Sequence, residues 1–433
     1  MDAPRSLSKL ILARASEDLE FRKRLLANPK LALREEFDVV FDKDHEVQVH
    51  EESNSVTHLV LPPQSKFTAK EREAARTGAT SLEFLKRTMY DPAPPRRPEP
   101  TKRSSKSTGS LSSESLVWSG RESIRRGLEF LESTVDENGA WHCVRFNVAD
   151  SNIPRHFEKP PFVSALCVLA IEAVGEDKAK ELRKNTSEYL VQTMEYPGLW
   201  RYYRHLPPDL DSTALCSMVI GAHPWISLGR SIPEIVANQD DDGRYMTWVL
   251  EAGEPDVFTG FRIEADPVVN ANLIAFLGDC PETRKAQMWL EQLILEGDVY
   301  EVSKWYPDPL SIYYSVTRAF HRGRPAFRRL ESVLVERILD LRDSSGGFGN
   351  VFQTAQAVSA LDNVGHLYDT DNEMLLKQLI DCQREDGSWP EYLAFGDLSM
   401  KWGVVGQFGH GSESLTSAFC IEALDRLVGS LCV

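Results

Sequence analysis

Two aspartates one residue apart, Asp209 and Asp211, have the types and spacing in this chain that best suit chemistry. A Pro-Pro break precedes them, and residues 214–222 read as an apolar helix, so both carboxyl groups should lie at or just before a helix N-terminus. Like charges this close push one pKa up and leave a protonated acid beside an ionised partner. Such a pair can donate a proton. The alternative is that Asp211 only caps its helix through a backbone N–H of Thr213 or Ala214.

The elements that must position this pair belong to a repeat. Six times, a helix ends in a polar turn in which a glycine is followed by an aromatic residue, and an apolar helix rich in small residues begins after it. Six helical hairpins of about fifty residues predict a solenoid or a closed ring. The small residues of each second helix would let six helices converge, so we predict an all-α main domain, an (α/α)6 barrel with a pocket at the N-terminal ends of its inner helices. The repeat glycines are Gly139, Gly198, Gly243, Gly297, Gly346 and Gly387.

Other residues at the same ends of the inner helices are candidates for lining a substrate cavity. Asn270 and Asn272 lie on an otherwise apolar helix, where a buried amide needs a partner, so at least one should face the cavity. Glu264 and Asp266, just before a proline, repeat the acid-x-acid pattern. A single aromatic residue in such a helix is more often core than ligand contact. The candidates are Trp200, Tyr202, Tyr203, Asp266, Asn270, Asn272, Trp305, Tyr306, Tyr313, Tyr314, Gln353, Gln356, His410 and Glu413.

Two of these patterns resemble the terpene cyclase and protein prenyltransferase superfamily. Residues 383–389, Gln-Arg-Glu-Asp-Gly-Ser-Trp, resemble the Q-x-x-x-G-x-W repeat of squalene-hopene cyclases, and residues 239–245 are a weaker copy. Residues 209–214, Asp-Leu-Asp-Ser-Thr-Ala, resemble the Asp-x-Asp-Asp-Thr-Ala motif of class II terpene cyclases, whose middle Asp protonates an alkene or epoxide.

That resemblance spans residues 118–433 and implies a class II terpene cyclase-like enzyme. Asp211 would be the proton donor for an isoprenoid or other hydrophobic small molecule, and Asp209 its partner; Ser212 replaces the last acid of the motif. Such cyclases usually place the active site between two α-barrels. With one barrel here, loops 142–160, 196–209 and 246–266 would have to cover the mouth.

Two other functions stay open from the sequence. The barrel could be a non-catalytic scaffold that binds an isoprenoid or a peptide, or it could modify ribosomally made peptides. We expect no metal or other cofactor, apart from Mg²⁺ if the substrate carries a diphosphate. The Asp, Cys, His zinc triad of the prenyltransferases is not recognisable. A peptide-modifying barrel would want zinc, for which the candidate ligands are His142, Cys143, Cys382 and His410.

The N-terminal residues 1–65 predict a small α+β module. Two helical patterns run from 7 to 37, and residues 47–50 and 57–61 alternate like a strand pair. Residues 21–37, with 47–49 and 58–62, resemble the nitrile hydratase α-subunit leader-like domain. That resemblance implies docking to a protein partner rather than catalysis.

Residues 66–117 predict one helix followed by a disordered Pro- and Ser-rich linker, which separates the module from the barrel at 118–433. Between Lys66 and Lys106, eleven Lys and Arg stand against five Asp and Glu, a balance of +6, so the rest of this chain of net charge −16 carries −22. An acidic body argues against nucleic acid as the main partner. Seven cysteines without a C-x-x-C pair, no signal-peptide core and no apolar run of membrane-spanning length predict a soluble, cytoplasmic protein.

Overall fold

The computed structural model describes residues 15, 18–37, 49, 113–148, 151–204, 206–227, 229–250, 264–297, 299, 302–322, 327–397 and 408–432. The chain divides into an N-terminal compact unit, up to Arg87, and a larger one that contains nearly all of the rest. In the described part of the chain, no helix combines the length and the apolar character that a membrane crossing requires.

The N-terminal unit contains two short helices, α1 (Leu19–Ala27) and α2 (Pro29–Phe37), where the sequence predicts helices. The Asp18 side chain caps α1 by accepting from the backbone N–H groups of Glu20 and Phe21. Phe21, Leu25, Ala32 and Leu33 form a small buried cluster between the helices. The strand pair predicted at 47–50 and 57–61 falls, apart from Val49, outside the described residues, and so does the linker up to residue 112.

The larger unit is built from helices in a repeating order. The main ones, in chain order, are α3 (Ser113–Thr134), α4 (Pro161–Ala170), α5 (Asp177–Thr193), α6 (Leu210–Val219), α7 (Pro224–Ser227), α8 (Ile232–Val236), α9 (Pro267–Leu277), α10 (Arg284–Glu296), α11 (Pro309–His321), α12 (Glu331–Asp340), α13 (Val351–Asn363), α14 (Asn372–Asp381) and α15 (Glu413–Leu431). Short 3₁₀ turns lie at Arg328–Leu330 and Leu367–Asp369.

Six of these helices form a closed inner ring. α4, α6, α9, α11, α13 and α15 each contact the next in that order, and α15 contacts α4. Helices α3, α5, α8, α10, α12 and α14 precede them as the outer members of six hairpins, so the predicted (α/α)6 barrel is confirmed. All ten residues of α4 are buried, because it is covered on one side by its neighbours in the ring and on the other by outer helices. The first outer helix, α3, begins at Ser113, five residues inside the segment that the sequence assigns to the linker.

The repeated aromatic residue fastens an outer helix to its inner partner. Trp141, Trp200 and Trp389 each donate the indole N–H to the carbonyl of a leucine ten positions earlier in the preceding outer helix, at 3.0, 2.9 and 2.8 Å. The backbone N–H of each donates to a Ser or Thr side chain on the following inner helix, at 3.1, 3.1 and 3.0 Å. These small polar residues of the inner helices are therefore anchors for the turns.

The repeated glycine is needed for a close backbone approach. Gly387 has a φ of +87°, and a Cβ there would lie 2.3 Å from the carbonyl oxygen of Arg126 on α3. Gly139 has a φ of +89°, and its Cβ would lie 2.6 Å from the carbonyl oxygen of Asn185 on α5. Only glycine fits both the left-handed conformation and the space.

A small antiparallel sheet, absent from the sequence prediction, lies at the rim of the barrel. Its strands are β1 (Cys143–Asn147), β2 (His156–Glu158), β3 (Phe395–Asp397) and β4 (Phe408–Gly411), in the order β2-β1-β4-β3. Arg145 on β1 pairs with His410 on β4, and Phe395 on β3 pairs with the same histidine. Because β2 and β4 lead into α4 and α15, the sheet lies at the N-terminal ends of two adjacent inner helices. Much of the segment 142–160, predicted to be a loop, is thus a strand pair.

Candidate active site

Asp209 and Asp211 have different structural roles at the start of α6. Asp209 is the N-cap: its Oδ1 accepts from the backbone N–H of Ser212 at 2.6 Å, and its Oδ2 accepts from that of Tyr202 at 2.8 Å. Asp211 stands in the first turn, and its carboxyl bonds to side chains of other hairpins. Capping therefore belongs to Asp209, and the alternative in which Asp211 only caps the helix is wrong.

The carboxyl group of Asp211 is held from two sides. Its Oδ1 accepts from the Asn272 amide at 2.7 Å, and its Oδ2 is hydrogen-bonded to the Tyr306 hydroxyl. The Asn272 oxygen in turn accepts from Nη1 of Arg318 at 2.8 Å. A guanidinium only donates, so it fixes the asparagine with its NH₂ group toward Asp211. Since Oδ1 is then occupied as an acceptor, a proton carried by Asp211 belongs on Oδ2.

Burial favours the protonated forms of Asp209 and Asp211. Asp211 is 6% exposed, and burial raises its pKa, while the hydrogen bonds from Tyr306 and Asn272 and the charge of Arg318 pull that pKa down. Burial also raises the pKa of Asp209 to about 7; the Ser212 N–H opposes this rise and the charge of Asp211 adds to it. Both carboxyl groups are therefore shifted toward the protonated form.

A second buried acid caps the neighbouring inner helix, α9. Asp266 accepts from the backbone N–H of Val268 at 2.9 Å, and from the Ser303 hydroxyl and the Lys304 N–H at 2.5 and 3.0 Å. Burial, the main cause, raises its pKa to about 7. The buried Glu264 forms an ion pair with the Lys304 ammonium at 3.3 Å and accepts from the Trp305 indole. Lys304 therefore compensates the charge of Glu264.

A cavity opens inside the barrel beside Asn272 and Tyr306, the two groups that hold Asp211. Its empty volume is about 340 Å³ when the space at its opening to solvent is included. Only about 20 Å³ of it can be occupied by the centre of a water molecule. One part of its wall is polar and the rest is apolar. The polar side chains are Asn272, Tyr306, Ser311, Tyr314, Ser315, Arg318 and Gln356; the apolar ones are Leu166, Val268, Phe352, Ala394, Phe395, Leu415 and Phe419.

Aromatic residues from the rim pack together at this cavity. The rings of Tyr306 and Phe395 have their centroids 6.3 Å apart, and His410 stacks on Phe395 at 5.1 Å with an interplanar angle of 7°. Tyr202 packs against Phe395 at 5.9 Å and donates its hydroxyl to the buried carboxylate of Glu158 at 3.1 Å. The cavity is narrow in this arrangement, so a ligand larger than a few atoms has to displace rim side chains.

Several predicted cavity residues lie where the sequence placed them. Asn272, Tyr314 and Gln356 line the cavity, and Tyr306 lines it as well. Tyr313, next to Tyr314 on α11, is buried.

His410 and Trp305 belong to the rim packing around the site. Burial, assisted by the charge of Arg145, lowers the pKa of His410 to about 3, so its imidazole is neutral. Trp305 packs edge-on against Trp248 at 5.8 Å.

Two predicted cavity residues, Trp200 and Asn270, have structural contacts instead. Trp200 is fully buried, and its indole N–H donates to the carbonyl of Leu190 on the preceding outer helix. The Asn270 amide bonds both the N–H and the carbonyl of Tyr245, each at 2.9 Å, so it fastens the third repeat turn in the way that Ser and Thr fasten others. Of the two asparagines on α9, Asn272 is the one that faces the cavity.

Three further candidates lie away from the cavity. Gln353 completes the capping box of α13 and donates to Asp308, the N-cap of α11. Glu413 pairs with Arg384, and its side chain is 40% exposed. Tyr203 lies under the guanidinium of Arg204. None of the three is among the residues that line the described cavity.

Sequence reasoning missed Arg318, Phe395 and Glu158. Arg318 had a detectable signal, since it shares one face of α11 with Ser311 and Ser315 at a spacing of four and three residues in an otherwise largely apolar helix. Phe395 and Glu158 stand on short rim strands that the sequence did not predict.

Metal ligands do not cluster in the part of the chain that the structure describes. No group of three or more His, Cys, Asp and Glu side chains there is placed to hold a metal ion. Of the four candidate zinc ligands, Cys143 is buried with its thiol 3.4 Å from the carbonyl of Gly411, whereas Cys382 is exposed.

The similarity of this chain to known proteins is found in its fold. No protein-family model matches it, and no curated protein does. Among solved structures, the type II terpene cyclase MstE from Scytonema in complex with geranylgeranyl dihydroxybenzoate (substrate) is 17% identical, with a TM-score of 0.55 over 72% of this chain and 99% of that chain. The apo form of MstE is 18% identical, with a TM-score of 0.55 over 73% and 99% of the two chains. A protein from Actinoplanes is 17% identical, with a TM-score of 0.55 over 71% and 99%. The barrel of this chain therefore has the fold of a type II terpene cyclase.

Proposed function

We propose that this protein is a class II terpene cyclase-like enzyme, which starts the cyclisation of an isoprenoid by donating a proton from Asp211. The observation that carries the proposal is the position of that carboxyl group. It is buried, it is not used as a helix cap, and both of its oxygens are held by groups that line the cavity. The fold shared with MstE supports the same function.

The surroundings of Asp211 suit an acid that must be neutral at rest and strong when it acts. Burial favours the protonated form, because a desolvated carboxylate is unstable. When the proton leaves Oδ2, the new carboxylate keeps the hydrogen bond from Asn272, gains a donor in the Tyr306 hydroxyl, and lies near the positive Arg318. These groups stabilise the charge as it develops.

The proposed reaction is an isomerisation. The proton adds to a terminal double bond or epoxide, and the cation that forms is attacked by further double bonds of the same chain, which makes the new C–C bonds. Loss of one proton from the final cation ends the sequence, and solvent returns a proton to Asp211. Phe352, Phe395 and Phe419, which line the apolar side of the cavity, present aromatic surface that can stabilise the cations.

Turnover by matched aspartate variants tests this function. Full-length protein is incubated with geranyl, farnesyl and geranylgeranyl diphosphates and with squalene, with and without Mg²⁺, and the products are analysed by mass-resolved chromatography. We expect cyclic isomers from the wild type and a loss of about 10²- to 10⁴-fold in Asp211→Asn, the range of a general acid. The control is Asp308→Asn, which keeps an N-cap acceptor at the start of the inner helix α11.

Equal turnover by Asp211→Asn and the wild type would contradict the role of Asp211. The alternative is a scaffold that binds an isoprenoid or a peptide without converting it. Saturable binding with no product from any substrate would support that scaffold. Modification of a ribosomal peptide docked through the N-terminal module stays a prediction, and a product that forms only when such a peptide is added would support it.

A further inference from the structure

The polar wall of the cavity contains a buried positive charge without a buried negative partner. Arg318 is 6% exposed and lines the cavity. Within the described ranges, no carboxylate forms an ion pair with it, whereas Arg426 on the inner helix α15 pairs with both Asp362 and Glu422 at 2.6 Å. Burial of an unpaired charge is costly, so proteins normally pair such a group or present it to a ligand.

The protein contacts of Arg318 leave part of its donor capacity unused. It donates to the Asn272 oxygen at 2.8 Å, and its guanidinium lies 4.8 Å from the ring centroid of Tyr314. A guanidinium carries five N–H donors in a planar fork, and these two neighbours cannot accept from all of them. Arginine binds planar carboxylates and phosphates through pairs of parallel hydrogen bonds.

The cavity has one polar wall and one apolar wall, as expected for a site that binds an amphiphilic ligand. Ser311 and Ser315 extend the polar strip on α11 beside Arg318. Gln356 on α13 adds an amide whose Oε1 is buried and has no hydrogen-bond partner in the described part of the chain. The other wall is hydrocarbon and aromatic, as at Phe419. A ligand with an apolar chain and a polar head fits both walls.

Charge balance points to a negative head. While Asp211 is protonated, as the proposed reaction requires, it does not compensate Arg318, and the bridging Asn272 is neutral. We propose that Arg318 binds an anionic head group, a carboxylate or a phosphate, on the isoprenoid that occupies this cavity. That the ligand is an isoprenoid rests on the proposed function; that its head is anionic rests on Arg318.

The distance between head and acid limits the length of the ligand. Only the Asn272 amide separates Arg318 from Asp211, two hydrogen bonds or on the order of 7 Å in all. An isoprenoid held by its head would therefore present to Asp211 a double bond a few carbons away. A short chain also requires the smallest displacement of the rim side chains around the narrow cavity. A ten-carbon isoprenoid acid meets both conditions.

Calorimetric titration of the full-length protein at pH 8 tests this site with geranic acid, geranyl phosphate and geraniol, which share a chain and differ in the head. We expect one or both anions to bind about ten- to a hundredfold more tightly than geraniol, the range of hydrogen bonds to a charged group. The tighter of the two anions identifies the head group. Arg318→Gln should abolish this preference, so that the anions bind no more tightly than geraniol. Arg322→Gln is the control, since Arg322 lies one turn beyond Arg318, at the C-cap of α11, and pairs with Glu172 at the surface.

Three results would overturn the proposal: equal binding of the anions and geraniol to the wild type, an anion preference that survives Arg318→Gln, or no binding of any of the three. If Arg318→Gln does not fold, Arg318→Lys replaces it. The lysine keeps the charge and loses the planar fork, so the preference for the anions over geraniol should fall severalfold; an unchanged preference would contradict the proposal. Cyclisation is measured separately with the diphosphates and squalene, so this site can fail while the acid function of Asp211 stands, and the reverse.

Discussion

At the scale of single residues, the acidity of Asp211 reflects opposed influences that come from different hairpins. Burial in the barrel raises its pKa, and the Tyr306 hydroxyl is the strongest of the neighbours that lower it. An acid governed by burial alone would stay protonated but would be weak. Tyr306 and Asn272 therefore matter most at the moment when the proton leaves.

Removal of the Tyr306 hydroxyl should reveal this balance. In Tyr306→Phe, the carboxylate form of Asp211 loses a donor, so the pKa of Asp211 rises and the acid stays protonated to higher pH. We expect the loss of activity at high pH to shift to higher pH, while the maximal rate falls about 10- to 100-fold, because the developing carboxylate is less stabilised. Turnover measured from pH 5 to pH 9 gives both quantities.

Tyr189→Phe is the matched control for that measurement. Tyr189 is also fully buried, and its hydroxyl donates to the carbonyl of Lys159 at 2.8 Å, away from Asp211. Its pH profile should coincide with that of the wild type. A Tyr306→Phe profile that moves to lower pH would show that the hydroxyl does not stabilise the carboxylate.

The sequence identified the acids but not all of their partners. The spacing of Asp209 and Asp211 marked the two buried acids at the start of α6, and the rule that a buried amide needs a partner marked Asn270 and Asn272 together. The sequence could not show which of the two amides faces the cavity. Asn270 bonds a turn 25 residues away and Asn272 bonds an acid 61 residues away. Such distances become contacts only once the ring closes.

At the scale of elements, the repeat turn explains why the hairpins could be predicted. The copies at Trp141, Trp200 and Trp389 each combine a glycine with positive φ, an aromatic side chain that reaches the outer helix, and a small polar residue on the inner helix. These requirements are local, so they leave a periodic pattern in the sequence. The rim sheet left no such pattern, because its strands have only three to five residues and pair across more than 200 positions of the chain.

Alanine at the repeat glycine should destabilise the barrel. In Gly387→Ala, the new Cβ meets the backbone carbonyl of Arg126, which cannot move without shifting α3, and the positive φ adds strain. We expect at least about 2 kcal/mol of destabilisation, seen as a melting temperature lowered by several degrees. Thermal unfolding followed by circular dichroism gives the difference.

Gly429→Ala is the control for this experiment. Gly429 lies inside α15, and the place that an alanine methyl group would take there has no neighbouring atom within 4 Å. Alanine should therefore leave stability unchanged or raise it by up to about 1 kcal/mol. If both variants melted at the same temperature as the wild type, the turn would not need its glycine.

At the scale of the whole molecule, the site exists because the ring brings three consecutive hairpins together. Asp211 comes from α6, Asn272 from α9, and Tyr306 and Arg318 from the segment before α11 and from α11 itself. Periodicity predicted the number and order of these helices. Which side chains meet inside the ring depends on the rotation of each helix about its axis, which a repeat pattern does not fix.

The closed ring also determines how a substrate reaches the acid. The small cavity and the packing of Tyr306 against Phe395 require the rim to open when a ligand enters. A barrel that then closes again would exclude water from the cations of the proposed reaction, and the product would keep the molecular formula of its substrate, with no water added.

The origin of the first proton tests the central claim most directly. The reaction is run in D₂O with whichever of the prenyl diphosphates or squalene is converted, and the mass of the product is measured by mass spectrometry. Because Asp211 exchanges its proton with solvent before it acts, we predict that each cyclic product molecule gains one deuterium on carbon, and that product made in H₂O and then placed in D₂O gains none. A cyclic product without solvent deuterium would contradict protonation by Asp211.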